Sequence, residues 1–109
     1  MIIAIVGSRN ITVNNIKDYI TDVDEIVSGG ANGVDHCAAE YARMSGLKLT
    51  EFLPEYDLYG CAVPIIRNRK IVAYADKVLV FWDGVSKGSL SVIKYAEEVG
   101  KDCRVVICK

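Results

Sequence analysis

The stretch Glu25-Ile26-Val27-Ser28-Gly29-Gly30-Ala31-Asn32-Gly33-Val34-Asp35 decides the fold. It opens on a short apolar run, passes through three glycines, and leads into Val34, Cys37, Ala38, Tyr41 and Ala42. Apolar residues at i, i+3, i+4, i+7 and i+8 line one face of a helix, and the small alanines let that helix pack closely on a sheet. The same order recurs along the chain. Apolar runs at Ile2–Val6, Leu47–Leu53, Lys77–Trp82 and Arg104–Cys108 alternate with helical patterns. Ile and Val dominate most of the runs, as strands covered on both faces require. The expectation is an α/β three-layer sandwich: a mostly parallel five-stranded sheet with helices on both faces.

Four helices are expected. Thr12 or Asn14 caps a first one through about Thr21. The second starts near Gly33. Pro64 suits the first residue of the third, having a fixed φ and no donor to waste. The fourth runs from about Gly88 to Val99, with Gly100 as its stop. The longest connection is Pro54–Val63, carrying Glu55, Tyr56, Asp57, Tyr59 and Gly60. Right-handed crossovers bring the helix N-termini to the carboxyl edge of the sheet, where ligands of such folds bind.

The chain has 109 residues, room for one domain spanning 1–109. It is 51% hydrophobic and 25% charged, enough to build a core. Lys+Arg number 13 against Asp+Glu 14, a formal net charge of −1. That balance argues against a nucleic-acid coat or a polybasic membrane binder. No apolar run approaches a membrane span, and no signal-peptide pattern precedes Ile2, so a cytoplasmic protein is expected. Cys37, Cys61, Cys103 and Cys108 lack the paired spacing of a zinc site and read as structural thiols. His36 stands alone, so neither a metal centre nor a Ser-His-Asp triad can be assembled. We read no metal site and no resident cofactor.

Four segments should meet at the carboxyl edge. Gly7-Ser8-Arg9 follows the first strand and offers close backbone approach, a hydroxyl and a guanidinium fit for phosphate or carboxylate. In Ser28–Asp35, the amides around Gly29, Gly30 and Gly33 can cradle an anion at a helix start, with Asp35 as a helix cap or a ribose ligand. The loop is neither a Walker A nor a G-x-G-x-x-G motif. Arg67 and Asn68, with Arg69 and Lys70, put positive charge near a helix N-terminus, a conflict with the dipole that a bound anion relieves. Finally, Trp82-Asp83-Gly84-Val85-Ser86-Lys87-Gly88-Ser89 repeats strand, glycine loop and helix. Ser86 and Ser89 offer hydroxyls, Asp83 a carboxylate for a ribose or for proton transfer, and Trp82 a stacking face.

Taken in order, Gly7-Ser8-Arg9, Ser28-Gly29-Gly30-x-x-Gly33-Val34-Asp35, Arg67-Asn68 nine residues before Asp76, and Phe81-Trp82-Asp83-Gly84-x-Ser86-x-Gly88-Ser89 resemble the SLOG superfamily, most of all its small YspA-like branch. The resemblance spans nearly the whole chain. It implies a Rossmann-like α/β fold and a nucleotide or nucleotide-derived ligand, such as an ADP-ribose or NAD-like molecule, and SLOG relatives often form homo-oligomers. Two similar families imply alternatives. LOG-type phosphoribohydrolases cleave a nucleotide's N-glycosidic bond with an arginine and a glutamate. Arg67 stands at the matching distance before Asp76, while the glutamate's position holds Val92, leaving Asp83 or Glu55 as the carboxylate. DprA-like proteins bind single-stranded DNA and share a stretch similar to Ser28–Asp35. The net charge of −1 and the lack of a basic stripe argue against that partner.

Overall fold

Alternation on five short strands builds the molecule. The computed structural model describes residues 1–30, 33–52 and 63–108, without the side chains of 63–65. The strands are β1 (Ile2–Gly7), β2 (Glu25–Ser28), β3 (Lys48–Glu51), β4 (Lys77–Trp82) and β5 (Asp102–Ile107). All four pairings are parallel, in the order β3-β2-β1-β4-β5. The helices are α1 (Val34–Ser45), α2 (Val63–Tyr74) and α3 (Lys87–Glu98). The expected α/β Rossmann-like architecture is therefore present.

Successive strand residues face opposite layers. Ile3, Ile5, Leu79 and Phe81 pack with Ile26 against Val34, Ala38 and Ala42 of α1. Ala4, Val6, Val78 and Val80 pack with Val27 on the other face, against Ile71 and Val72 of α2, Ala75 just after it, and Val92, Ile93 and Ala96 of α3. Two-sided burial explains why β1 and β4 read as unbroken apolar runs. β1 lies between β2 and β4, so the chain crosses from one side of it to the other between β3 and β4. The carboxyl ends of β1 and β4, paired as Gly7↔Phe81, flank the topological switch point.

The first expected helix is corrected. Within Thr12–Thr21 the chain forms one 3-10 turn, Ile16–Tyr19, with no side-chain cap at Asn15. Ile11, Thr12 and Val13 are β-branched and lose rotamer freedom in a helix, while Asn14 and Asn15 compete for backbone hydrogen bonds. The segment still covers the sheet: Ile16 is buried, Val13, Tyr19 and Ile20 pack beside it, and Tyr19 meets Phe81 edge-on at 5.2 Å. Smaller differences concern ends. α2 begins at Val63, α3 at Lys87, β3 ends at Glu51 and β5 begins at Asp102. Glu55, Tyr56, Asp57, Tyr59, Gly60 and Cys61 lie outside the described residues, as do Ala31 and Asn32.

Candidate functional site

The ends of β1 and β4 and the starts of α1 and α3 surround a cleft of about 370 Å³. That volume is of the size that holds a small ligand. Its floor is apolar, from Val6, Ile71 and Val92, and its walls are polar, from Ser8, Arg9, Asn10, Asp35, Arg67, Asn68, Asp83, Ser86 and Ser89.

Ser8 pins the two central strands together. Its N–H donates to the Phe81 carbonyl at 3.1 Å, and its hydroxyl accepts the Asp83 N–H at 3.3 Å. Its carbonyl accepts Val34 N–H at 3.4 Å, drawing the start of α1 against the end of β1. Gly7 makes that approach feasible, because a Cβ there would collide with the Phe81 carbonyl and the Val34 side chain. The glycine thus makes room for the start of α1 and also lines the cleft.

The glycine loop after β2 behaves similarly. Gly33 has φ +72°, and a Cβ on it would overlap the carbonyls of Ser8 and Arg9. A Cβ on Gly29 would stand 2.5 Å from Arg67 Nη1 and 3.0 Å from Asp35 Oδ2. Asp35 is buried and accepts the Gly29 N–H at 3.2 Å. It does not cap α1, whose N-cap is Gly33 with no side-chain cap bond, so the capping expectation is corrected. Among the residues of this loop Asp35 lines the cleft, whereas Ser28, Gly29, Gly30 and Gly33 do not. Ser28 is fully buried, with a hydroxyl that has no partner among the described residues.

Arg67 is the fifth residue of α2. Its Nη1 donates to the Gly29 carbonyl at 2.9 Å and its Nε to Asn68 Oδ1 at 3.0 Å. Asn68, buried, reaches the Gly88 carbonyl at 3.5 Å through Nδ2. The guanidinium is thereby held at the cleft wall with further N–H groups not used in these bonds.

Asp83 shapes the opposite wall. Its Oδ1 accepts the N–H groups of Val85 at 2.9 Å and Ser86 at 2.8 Å. These two backbone bonds, with the Ser8 hydroxyl, hold its carboxyl below the usual aspartate range. The arrangement makes Asp83 an anionic acceptor that fixes the loop, and a poor proton donor near neutrality. Gly84, at φ +88°, completes the turn in the open. The Trp82 indole leaves the cleft: Nε1 donates to the Ser86 carbonyl at 2.9 Å, and the ring packs on the core beneath α2 and α3.

The start of α3 faces the cleft through Ser86, Gly88 and Ser89. The amides of its first turn have no intrahelical partner. No acidic residue occupies that turn, and Ser86 makes no side-chain cap bond. Ser89 is buried, and its hydroxyl has no partner among the described residues. Unpaired donors at the positive end of a helix make an anion-binding site.

Of the expected residues, then, Gly7, Ser8, Arg9, Asp35, Arg67, Asn68, Asp83, Ser86, Gly88 and Ser89 gather around one cleft. Sequence reasoning missed Asn10, Val6 and Ile71. Ile71 stands one helical turn after Arg67 and was within reach of helical periodicity, and Asn10 directly follows Arg9 in the turn after β1. Val92 presents an apolar side chain to the cleft, where the LOG-type resemblance would put a carboxylate. Among the described residues no group of His, Cys, Asp or Glu side chains could hold a metal ion, and no helix is long and apolar enough to cross a membrane. No family model and no curated protein matches the chain.

Proposed function

We propose that this protein binds a nucleotide or nucleotide-derived ligand, of the ADP-ribose or NAD-like kind, as a sensor or binding module. A phosphate seats on the first turn of α3, with Arg67 and Arg9 as its cationic partners. Asp83 and Asp35 then accept hydrogen bonds from ribose hydroxyls, and Val6, Ile71 and Val92 offer an apolar floor. The reading rests chiefly on Ser89. A buried hydroxyl without a partner costs free energy, and a phosphate oxygen on the adjacent amides supplies the missing acceptor. The resemblance to SLOG proteins supports the same ligand class.

A thermal-shift screen of nucleoside monophosphates, ADP-ribose and NAD tests the reading. Binding raises Tm in proportion to affinity and ligand excess. Ser89→Val and Arg67→Ala should each remove the shift of the best ligand. A Tm unchanged by every compound, or a shift that survives both substitutions, would rule the site out. Chromatography of the same mixtures for free base separates binding from N-glycosidic cleavage.

A further inference from the structure

The basic residues that the sequence directs to a single edge divide into two places. Arg9 and Arg67 line the cleft, whereas Arg69 and Lys87, with Lys94, line a neighbouring groove of about 350 Å³ between α2 and α3. The two sites share a wall. On α2, Asn68 lines the cleft and the next residue, Arg69, lines the groove; on α3, Gly88 lines the cleft and the preceding Lys87 lines the groove.

The charge of this groove is poorly compensated. Glu98 is its carboxylate among the described residues, and none of the three cations makes an ion pair there. Three like charges around one groove repel one another. Lys87 adds a second conflict, because it puts a cation in the first turn of α3, where the dipole disfavours it and no acidic residue offsets it. Arg69 is meanwhile held in place, its guanidinium stacked 5.3 Å over the Tyr95 ring. A fixed guanidinium beside two flexible ammonium groups is suited to a phosphate diester.

We propose that this groove is a second phosphate subsite that serves nucleotide ligands of the cleft carrying two phosphates separated by a nucleoside. The inference rests on the nucleotide reading of the cleft. At 1.5 Å per residue, Lys94 lies roughly 9 Å along α3 from Gly88. Lys87 adjoins the cleft residue Gly88, so the groove runs on from the cleft, and a 5′-phosphorylated dinucleotide, whose two phosphates are set apart by a nucleoside, reaches from the cleft to the far end of the groove. Such a dinucleotide is either a free molecule or the end of a single strand.

The test uses the full chain and isothermal titration. The probes are AMP, CMP, GMP and UMP, the dinucleotides pApA, pCpC, pGpG and pUpU, and 5′-phosphorylated decamers of the same bases. The best dinucleotide should bind roughly three- to tenfold more tightly than its mononucleotide, the gain expected of two exposed ion contacts. The double variant Arg69→Ala/Lys94→Ala should erase that gain and leave the mononucleotide affinity unchanged. The gain should also shrink as salt rises. A dinucleotide no tighter than its mononucleotide, or a gain intact in the double variant, overturns the second subsite and leaves the cleft standing. A failure of every probe to bind overturns the second subsite, and a failure of ADP-ribose and NAD in the same titrations overturns both. A decamer that equals the dinucleotide identifies a free ligand, and one that exceeds it while keeping its sensitivity to the double variant identifies a strand end.

Discussion

Arg67 and Gly29 meet because residue 29 has no side chain. The guanidinium Nη1 donates to the Gly29 carbonyl at 2.9 Å, in space that a Cβ would enter at 2.5 Å from the same nitrogen. The Gly29 N–H holds Asp35 at 3.2 Å. One residue, through its N–H and its carbonyl, thus sets the position of a cation from α2 and a carboxylate from α1, helices on opposite faces of the sheet.

Gly29→Ala should therefore act as a binding mutation. The nearest obstructing atoms belong to the end of the long Arg67 side chain, which can swing away, and Asp35 Oδ2 at 3.0 Å needs to give only slightly, so the protein should fold with a small loss of Tm. Ligand affinity should fall roughly tenfold, less than in Arg67→Ala, because one charge-assisted contact is weakened while the guanidinium remains. Calorimetric titration beside a thermal melt checks this. Wild-type affinity in Gly29→Ala would show that the guanidinium position does not matter.

Gly7 and Gly88 should respond in opposite ways to the same substitution. A Cβ at residue 7 meets the Phe81 backbone and lies 2.7 Å from Val34 Cγ2, a buried core atom that cannot step aside. Gly7→Ala should cost about 1–3 kcal/mol, as overpacking does. A Cβ at residue 88 meets nothing within 4 Å. Gly88→Ala should stabilise α3 by about 0.5–1 kcal/mol through the lost freedom of the unfolded chain. Urea unfolding measures both, and equal effects would contradict the packing argument.

That contrast marks what the sequence could and could not say. The strands were legible because β1 and β4 bury alternate residues on both faces, which leaves Ile, Ala and Val in unbroken runs. The cleft was legible in outline because a parallel sheet carries its loops to one edge. The purpose of each glycine was not. Gly7 read as a point of close backbone approach and Gly29 and Gly33 as part of an anion cradle, and the neighbours that press on them are the Val34 side chain, the Arg67 guanidinium and the Arg9 carbonyl. A vacancy in sequence does not name its occupant. The 3-10 turn at Ile16–Tyr19 was missed for a related reason: Val13, Ile16 and Ile20 keep a spacing that serves a covering loop as well as a helix.

Asp83 should matter through its acceptor oxygen and not through proton transfer. Asp83→Asn retains an oxygen for the Val85 and Ser86 N–H groups and should bind ligand nearly as well as the parent. Asp83→Ala frees both amides, loosens the start of α3 and should bind several-fold less tightly. Its folded pKa is lowered, so its stabilising contribution is present above the ordinary value of 3.8 and is lost as pH falls through the lower folded value. Binding should consequently show no titration of this group between pH 5 and 7. A base-releasing activity abolished by Asp83→Asn would instead establish the hydrolase.

Glu25 should control the acid limit of the fold without touching the site. It is buried at the first residue of β2, the end of the strand away from the cleft. Its Oε2 accepts the Tyr74 hydroxyl at 2.6 Å and the Thr50 hydroxyl at 2.7 Å, and Lys48 Nζ lies 3.6 Å from Oε1. The Tyr74 bond, then the Thr50 bond, lower its pKa, against a smaller opposing effect of burial. A lowered folded pKa contributes stability that is present above the unfolded value, near 4.5, and is lost as pH falls through the folded one. Tyr74→Phe removes the strongest donor and should cost about 1 kcal/mol at pH 7. It should also raise the pH at which acid unfolding begins, since Glu25 then protonates sooner. Glu25→Gln should flatten that part of the pH profile, there being no charge left to neutralise. Melts from pH 7 to pH 3 follow both effects, and an acid limb identical in all three proteins would show that other carboxylates set it. Ligand affinity at pH 7 should be unchanged in either variant, because the clamp ties β2 and β3 to α2 at the edge of the sheet opposite the cleft.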